Sequence, residues 1–221
     1  MDATNLTLRY YNEKADSFVD GTRSVDFSAL QNVFASYIKE GGRILDLGCG
    51  SGRDSKAFLE KGYEVVAVDG SQELCKLASE YIGQPVICTT FQEYEPEGLF
   101  DGIWACASLL HLRLDEVKVV IKKMAAALKE DGVLYVSFKY GTFSGERNGR
   151  FFTDMDEGSF NRMLQDIPEL VIVREYITED VRPGRETEKW LNVFLKRGQG
   201  AKMKRGIRFS RQYRCPVTEL P

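Results

Sequence analysis

The sequence predicts an α/β fold in which a mostly parallel β-sheet carries helices on both faces. Two observations predict this fold. Apolar segments of strand length alternate with longer segments whose apolar residues recur at helical spacing. Several of the apolar segments also end in an acidic residue or a glycine-rich turn, as strands do when they lead into the helix of an α/β unit. No internal repeat or second core is evident, so we expect one domain over residues 1–197.

Helical spacing predicts two helices before the first strand, at residues 6–18 and 27–40. The second of them has an apolar stripe, formed by Leu30, Val33, Phe34, Tyr37 and Ile38. The apolar run at residues 44–47 then predicts the first strand, which leads directly into a glycine-rich turn. A new helix is expected to begin near Asp54 and Ser55, because short polar side chains cap helix N-termini.

The rest of the chain continues the alternation. The predicted elements are a strand at 63–71, a helix at 71–81, a strand at 85–92, a strand from 100 onward, a helix at 115–129 stopped by Asp131-Gly132, and a strand at 133–138. A capping arrangement at residues 153–156 opens a further helix that ends at Pro168. Two late strands, 170–177 and 190–196, are joined by a polar segment.

The turn after the first strand carries glycine at three alternate positions, Gly48, Gly50 and Gly52. Glycine lacks a Cβ, so the backbone can adopt positive φ and a bulky ligand can approach the peptide units. A dinucleotide fingerprint would need a glycine where Arg53 stands, and a Walker-type loop would need Lys-Ser or Lys-Thr after the glycines. We therefore expect a ligand of another kind against this turn.

The run Ile-Leu-Asp-Leu-Gly-Cys-Gly-Ser-Gly resembles motif I of the class I S-adenosylmethionine-dependent methyltransferases. The run Gly-Ser-Gly-Arg-Asp-Ser is similar to that of their tellurite-resistance-related branch. The resemblance implies a Rossmann-like sheet of seven strands closed by a C-terminal antiparallel hairpin, with S-adenosylmethionine as cofactor. The cofactor-binding residues that it implies in this motif are Asp46, Gly48, Cys49, Gly50, Gly52 and Arg53. Arg53 has two open roles, since it can pair with the cofactor carboxylate or with Asp54.

The next two strands supply further cofactor candidates. Asp69 ends the second strand, 23 residues after Asp46, and the resemblance implies that it holds the ribose, followed by Gly70 and Ser71. Asp69 can also cap the helix that follows, and the two roles are compatible. After the third strand, Thr90 and Phe91 are expected at the adenine, although Phe91 equally suits the core.

The fourth strand and its loop resemble motif IV of the same family, which implies that Ala105 and Cys106 border the methionine moiety. His111 follows, and it either faces the transferable methyl group or braces the loop. It is the only histidine of the chain, and a lone histidine is more often structural than catalytic. We take His111, Tyr11 and Tyr140 as the candidate catalytic residues. The cysteines show no metal-binding spacing, so no metal is expected.

Two variable segments are expected to build the acceptor pocket, residues 8–13 and residues 137–152. The second mixes aromatic side chains with Lys139, Arg147 and Arg150, which favour an anionic small-molecule acceptor. Its glycines suggest a mobile flap. A solvated β-hairpin with ordinary charges is the alternative interpretation.

Charge is distributed unevenly along the chain. Residues 196–214 carry eight basic side chains and no acidic one, whereas residues 1–195 have a net charge of −10. We expect a flexible basic extension at residues 198–221. The N-terminus lacks signal-peptide character and the cysteines are scattered, which favours a cytoplasmic protein without a membrane segment. We also expect a monomer or weak oligomer.

Three other functions stay open at this point. The basic extension leaves room for an RNA or tRNA methyltransferase, although the Asn/Asp-Pro-Pro-Tyr/Phe motif of base N-methylation is absent after the fourth strand. A non-catalytic S-adenosylmethionine-binding regulator would share the same cofactor residues. A nucleotide-dependent oxidoreductase would share only the α/β fold.

Overall fold

The computed structural model describes residues 3–182 and 184–198. The strands are β1 (Arg43–Leu47), β2 (Glu64–Asp69), β3 (Ile87–Cys88), β4 (Phe100–Ala105), β5 (Leu128–Lys139), β6 (Ser144–Arg147), β7 (Arg150–Thr153), β8 (Leu170–Glu179) and β9 (Lys189–Arg197). The helices are α1 (Ala3–Glu13), α2 (Ala15–Asp20), α3 (Ser28–Ala35), α4 (Arg53–Glu60), α5 (Gln72–Ile82), α6 (Leu114–Ala126) and α7 (Glu157–Leu164), with a 3₁₀ turn at Leu109–His111.

Seven strands form one sheet in the order β3-β2-β1-β4-β5-β9-β8. The first five in the chain are parallel to one another, and β9 and β8 run antiparallel at the end of the sheet. The predicted Rossmann-like α/β fold with a C-terminal antiparallel hairpin is therefore confirmed. Strand order reverses between β1 and β4, and open α/β sheets bind ligands at the carboxyl ends of the strands beside such a reversal.

Two apolar cores lie on opposite faces of the sheet. Successive residues of β1 show the division, because Ile44 packs with α3 and α4 on one face while Leu45 packs with α6 and α7 on the other. Strands that are buried on both faces read as continuous apolar runs, which is the pattern of this sequence. On the α3 face, Trp104 stacks on Tyr135 with ring centroids 4.0 Å apart and meets Phe34 and Phe58 edge-on.

A two-stranded hairpin, β6–β7, is inserted between β5 and α7. It packs against α1, where the Phe151 backbone N–H donates to the Thr7 hydroxyl at 3.2 Å. Arg147 forms an ion pair with the buried Asp154 at 3.0 Å and lies over the rings of Phe143 and Phe152. The segment expected as a flap is thus a hairpin anchored to the N-terminal helix.

Several local predictions were wrong. The predicted helix 6–18 is two helices separated at Lys14, and the predicted helix 27–40 ends at Ala35. The third strand is only two residues long. Asp131-Gly132 does not stop α6, which ends at Ala126. Gly132 lies inside β5, where a Cβ would stand 3.1 Å from the Phe100 carbonyl oxygen, so glycine permits close strand packing there rather than a helix cap.

No helix in the described part of the chain combines the length and apolarity needed to cross a bilayer. The predicted basic extension, apart from Gly198, and Cys215 lie outside the described residues.

Candidate functional site

A large cleft opens at the carboxyl ends of the parallel strands and extends along α1, α2, β7 and β8. Its volume is about 2380 Å³, whereas pockets for one small ligand typically measure roughly 300–1,000 Å³. The cleft therefore has room for two molecules side by side. The predicted cofactor residues that line it are Gly48, Cys49, Gly50, Arg53, Asp69, Gly70, Thr90, Phe91 and Cys106.

The glycine turn forms the floor of the cleft. Gly48, Gly50 and Gly52 have φ values of 92°, 55° and 78°, a region that disfavours residues with a Cβ. A Cβ on Gly48 would also lie 2.4 Å from the Cβ of Ser108. The turn thus needs glycine both for its backbone conformation and for the close approach of the loop after β4.

Asp69 joins the turn to the end of β2. One of its carboxylate oxygens accepts from the Gly50 backbone N–H and the other from the Ser71 N–H, each at 2.9 Å. Burial raises the pKa of this carboxyl, and the backbone hydrogen bonds oppose that shift. Each carboxylate oxygen has a second lone pair, so Asp69 can still accept from two vicinal hydroxyls in the cleft.

Asp54, at the start of α4, anchors the far side of the turn. It accepts from Arg53 in a two-point ion pair with both distances at 2.8 Å, from Gln31 at 2.7 Å and from the Trp104 ring N–H at 2.9 Å. Burial would raise the pKa of Asp54, but the Arg53 charge and these hydrogen bonds outweigh it, so the pKa is lowered. Arg53 therefore pairs with Asp54, and because it also lines the cleft, its contact with a cofactor stays a prediction.

Four predicted cofactor residues do not line the cleft but support its wall from behind. Asp46 is buried and accepts from the Ser55 hydroxyl at 2.6 Å. Gly52 precedes α4, where a Cβ would stand 3.0 Å from Ile82 of α5. Ser71 caps α5 and donates to Asn12, and Ala105 is fully buried in β4. Their contact with a cofactor stays a prediction.

Three buried polar atoms of cleft residues lack a hydrogen-bond partner among the described residues, and two of them are oxygens, Ser108 Oγ and Gln92 Oε1, while the third is Arg150 Nε. The Gln92 amide nitrogen donates to Thr4 and Glu116, which turns the oxygen away from them. An unpaired buried polar atom is costly, so both oxygens are suited to a polar ligand. Ala107, beside Ser108, has a positive φ of 50°, and such strained residues concentrate at functional sites.

A chain of hydrogen bonds crosses the cleft from Arg150 to His111. Arg150 donates to the Tyr11 hydroxyl at 3.2 Å, and Tyr11 lies 2.9 Å from His111 Nε2. His111 Nδ1 lies 2.8 Å from the Phe151 carbonyl oxygen, which can only accept, so we assign the ring proton to Nδ1 and the acceptor role to Nε2. Burial lowers the pKa of His111 to about 4, which keeps the ring neutral.

Comparison with known proteins finds similarity to methyltransferases. Residues 44–132 match the sequence profile of a family described as a methyltransferase domain. The chain is 33% identical over 132 residues to YqeM of Bacillus subtilis, provisionally named a methyltransferase, covering 54% of this chain and 52% of that one. It is also 33% identical over 100 residues to a ubiquinone biosynthesis O-methyltransferase of Bradyrhizobium diazoefficiens. That match covers 43% of this chain and 39% of the relative.

Residues 44–132 are thus similar to the methyltransferase domain of these proteins. The chain spans about half the length of the first curated relative that it matches. A solved structure, that of 1,6-didemethyltoxoflavin-N1-methyltransferase from Burkholderia thailandensis, superposes with a TM-score of 0.69 at 20% identity over 90% of this chain and 92% of that chain. At this identity the superposition establishes the shared fold. The comparisons do not single out the tellurite-resistance-related branch, which stays a prediction.

The remaining predicted site residues differ in their placement. Tyr140 is exposed and does not line the cleft, although its hydroxyl donates at 2.8 Å to Glu157, which does line it. Lys139 lines the cleft and forms an ion pair with Glu188, and burial lowers the pKa of Lys139 to about 8. Tyr11 and His111, in contrast, lie side by side in the cleft.

Sequence reasoning did not single out Phe18, Gln92 or Ser108 at the site. Phe18 packs edge-on against Tyr11, with ring centroids 5.1 Å apart, and its ring would contact a Cβ on Gly50. Gln92 directly follows the predicted adenine pair Thr90 and Phe91, and its position after a strand was the available signal. The chain carried no comparable signal for Phe18, because its approach to Gly50 depends on the break between α1 and α2.

Proposed function

We propose that the chain transfers a methyl group from S-adenosylmethionine to a small-molecule acceptor. The observation that carries the proposal is the pairing of the glycine turn with Asp69 at the reversal point of the sheet, within the segment that matches a methyltransferase domain. The Burkholderia structure contains 1,6-didemethyltoxoflavin and S-adenosylhomocysteine. That pair supports both the cofactor and the class of acceptor proposed for this chain.

The residues present suit the cofactor. In this assignment Asp69 accepts from the ribose hydroxyls, and Thr90, Phe91 and Gln92 receive the adenine. Ser108 and Cys106 border the amino-acid part, and the two unpartnered oxygens, Ser108 Oγ and Gln92 Oε1, gain partners. When bound, S-adenosylmethionine supplies an electrophilic methyl group on a sulfonium. The chain's own contribution is then to align the acceptor and exclude water.

Tyr11 and His111 are assigned to positioning the acceptor rather than to removing a proton from it. A histidine with a pKa near 4 is a weak base at neutral pH, and its Nε2 already accepts from Tyr11. An acceptor that arrives as an anion needs no base. Lys139 and Arg150, the basic residues of the predicted acceptor segment that line the cleft, support an acceptor of that kind. We also propose that the enzyme acts as a monomer or weak oligomer.

The test is incubation of the purified chain with methyl-labelled S-adenosylmethionine and a metabolite extract, with a parallel incubation containing total RNA. Label in a small product supports the proposal. Label in RNA instead supports the RNA methyltransferase. Tight binding of S-adenosylmethionine without transfer in either mixture would support the regulator, and binding of NAD alone would support the oxidoreductase.

A further inference from the structure

Arg150 differs from the other two basic side chains of the predicted acceptor segment. Lys139 pairs with Glu188 and Arg147 pairs with Asp154, whereas Arg150 has no carboxylate partner among the described residues. Its Nε is buried and lacks a hydrogen-bond partner in the same part of the chain. A buried charged donor without a partner costs more than a neutral one, so this guanidinium is suited to an incoming anion.

The Arg150 guanidinium is held in place without being neutralised. It lies over Tyr10 with 4.3 Å from its carbon to the ring centroid, and over Phe152 at 5.1 Å. Its Nη1 donates to the Tyr11 hydroxyl. Aromatic rings position the planar cation while leaving its charge available, and an arginine fixed in this way binds carboxylates with high geometric specificity.

The surrounding wall of the cleft is aromatic. The rings that line it near Arg150 are those of Tyr11, His111 and Phe152. Aromatic walls favour flat ligands of matching shape. Within the proposed function, we infer that Arg150 is the specificity-determining residue of the acceptor subsite and binds an anionic oxygen, carboxylate or phenolate, of a planar aromatic acceptor.

The cofactor also carries a carboxylate, which the Arg150 guanidinium is equally able to bind by charge. Position favours the acceptor, since Arg150 lies on the hairpin beyond Tyr11, whereas the glycine turn lies on the other side, beneath Phe18. The experiment therefore measures the two ligands separately, on the full-length chain.

The probes are benzoate and its neutral isostere benzamide, each titrated by calorimetry and ligand-observed NMR into protein saturated with S-adenosylhomocysteine. The variants are Arg150→Met and Arg150→Lys, and the control is Arg162→Met, which removes the same charge from an exposed position on α7. We expect wild type and Arg162→Met to bind benzoate about tenfold more tightly than benzamide. Arg150→Met should abolish that preference, and Arg150→Lys should restore part of it.

Equal binding of the two probes by wild type, including no binding of either, would overturn the inference. So would an unchanged preference in Arg150→Met. A loss of about tenfold or more in S-adenosylhomocysteine affinity in Arg150→Met would assign the arginine to the cofactor carboxylate instead. Failure of wild type to bind S-adenosylhomocysteine at all would contradict the proposed function itself, which separates the two outcomes.

Discussion

Burial of a neutral His111 makes the stability of the fold depend on pH in the mildly acidic range. Burial, together with the charges of Arg150 and Arg147, lowers the pKa of His111 to about 4, against an ordinary value of 6.5. Between these two pH values the unfolded chain binds a proton that the folded chain does not, so acid favours unfolding. Lowering the pH from about 7.5 to about 5 should therefore remove about 2 kcal/mol of unfolding free energy through this side chain.

The variant His111→Gln removes the titration and keeps an amide that can donate to the Phe151 carbonyl. Urea unfolding of wild type and variant at both pH values isolates the contribution, because the carboxylates that titrate in the same range are common to both proteins. Wild type should lose about 2 kcal/mol more than His111→Gln on acidification. Parallel losses would show that His111 ionises freely in the fold and would refute the assigned hydrogen-bond chain.

Two further substitutions test the packing beneath the cleft. Gly48→Ala should destabilise the fold by about 1–3 kcal/mol more than Gly62→Ala in urea unfolding. Both glycines have positive φ, but only at position 48 would a Cβ press against Ser108. Equal losses of unfolding free energy in the two variants would contradict the close contact. Trp104→Phe should cost about 1–3 kcal/mol, since it removes the hydrogen bond to Asp54 and part of a fully buried ring. An unchanged unfolding midpoint would show that Arg53 and Gln31 satisfy Asp54 without the indole.

The elements around the glycine turn were predictable because their signals are local. Each signal lies within a few residues: the apolar run of β1, the alternate glycines after it and the acid that ends β2. Because the strands are parallel, the turns that follow them meet at one edge of the sheet. Gly132 shows the limit of local signals. An Asp-Gly pair after a helical segment normally marks a helix end, but here a Cβ would stand 3.1 Å from the Phe100 carbonyl oxygen of β4 as well as from atoms of Leu128 and Lys129, and no local pattern encodes the β4 contact.

Side-chain pairing across the fold was the part that the sequence could not supply. Arg53 had two reasonable partners, and its pairing with Asp54 occurs where Gln31 and Trp104 also close around that carboxylate. Tyr11 and His111 meet across 100 positions in the sequence. The sequence does not distinguish the three basic residues of the acceptor segment, Lys139, Arg147 and Arg150. The fold shows which of them lacks a carboxylate partner among the described residues.

The most direct test of the cofactor site is calorimetric titration of S-adenosylhomocysteine into wild type, Asp69→Asn and Asp101→Asn. Asp101 is a matched control, because it accepts from the Arg43 backbone N–H at the opposite edge of the sheet. We predict binding by wild type, a loss of about tenfold or more in Asp69→Asn, and no change in Asp101→Asn. Equal affinity in wild type and Asp69→Asn, or binding of NAD without binding of S-adenosylhomocysteine, would contradict the account.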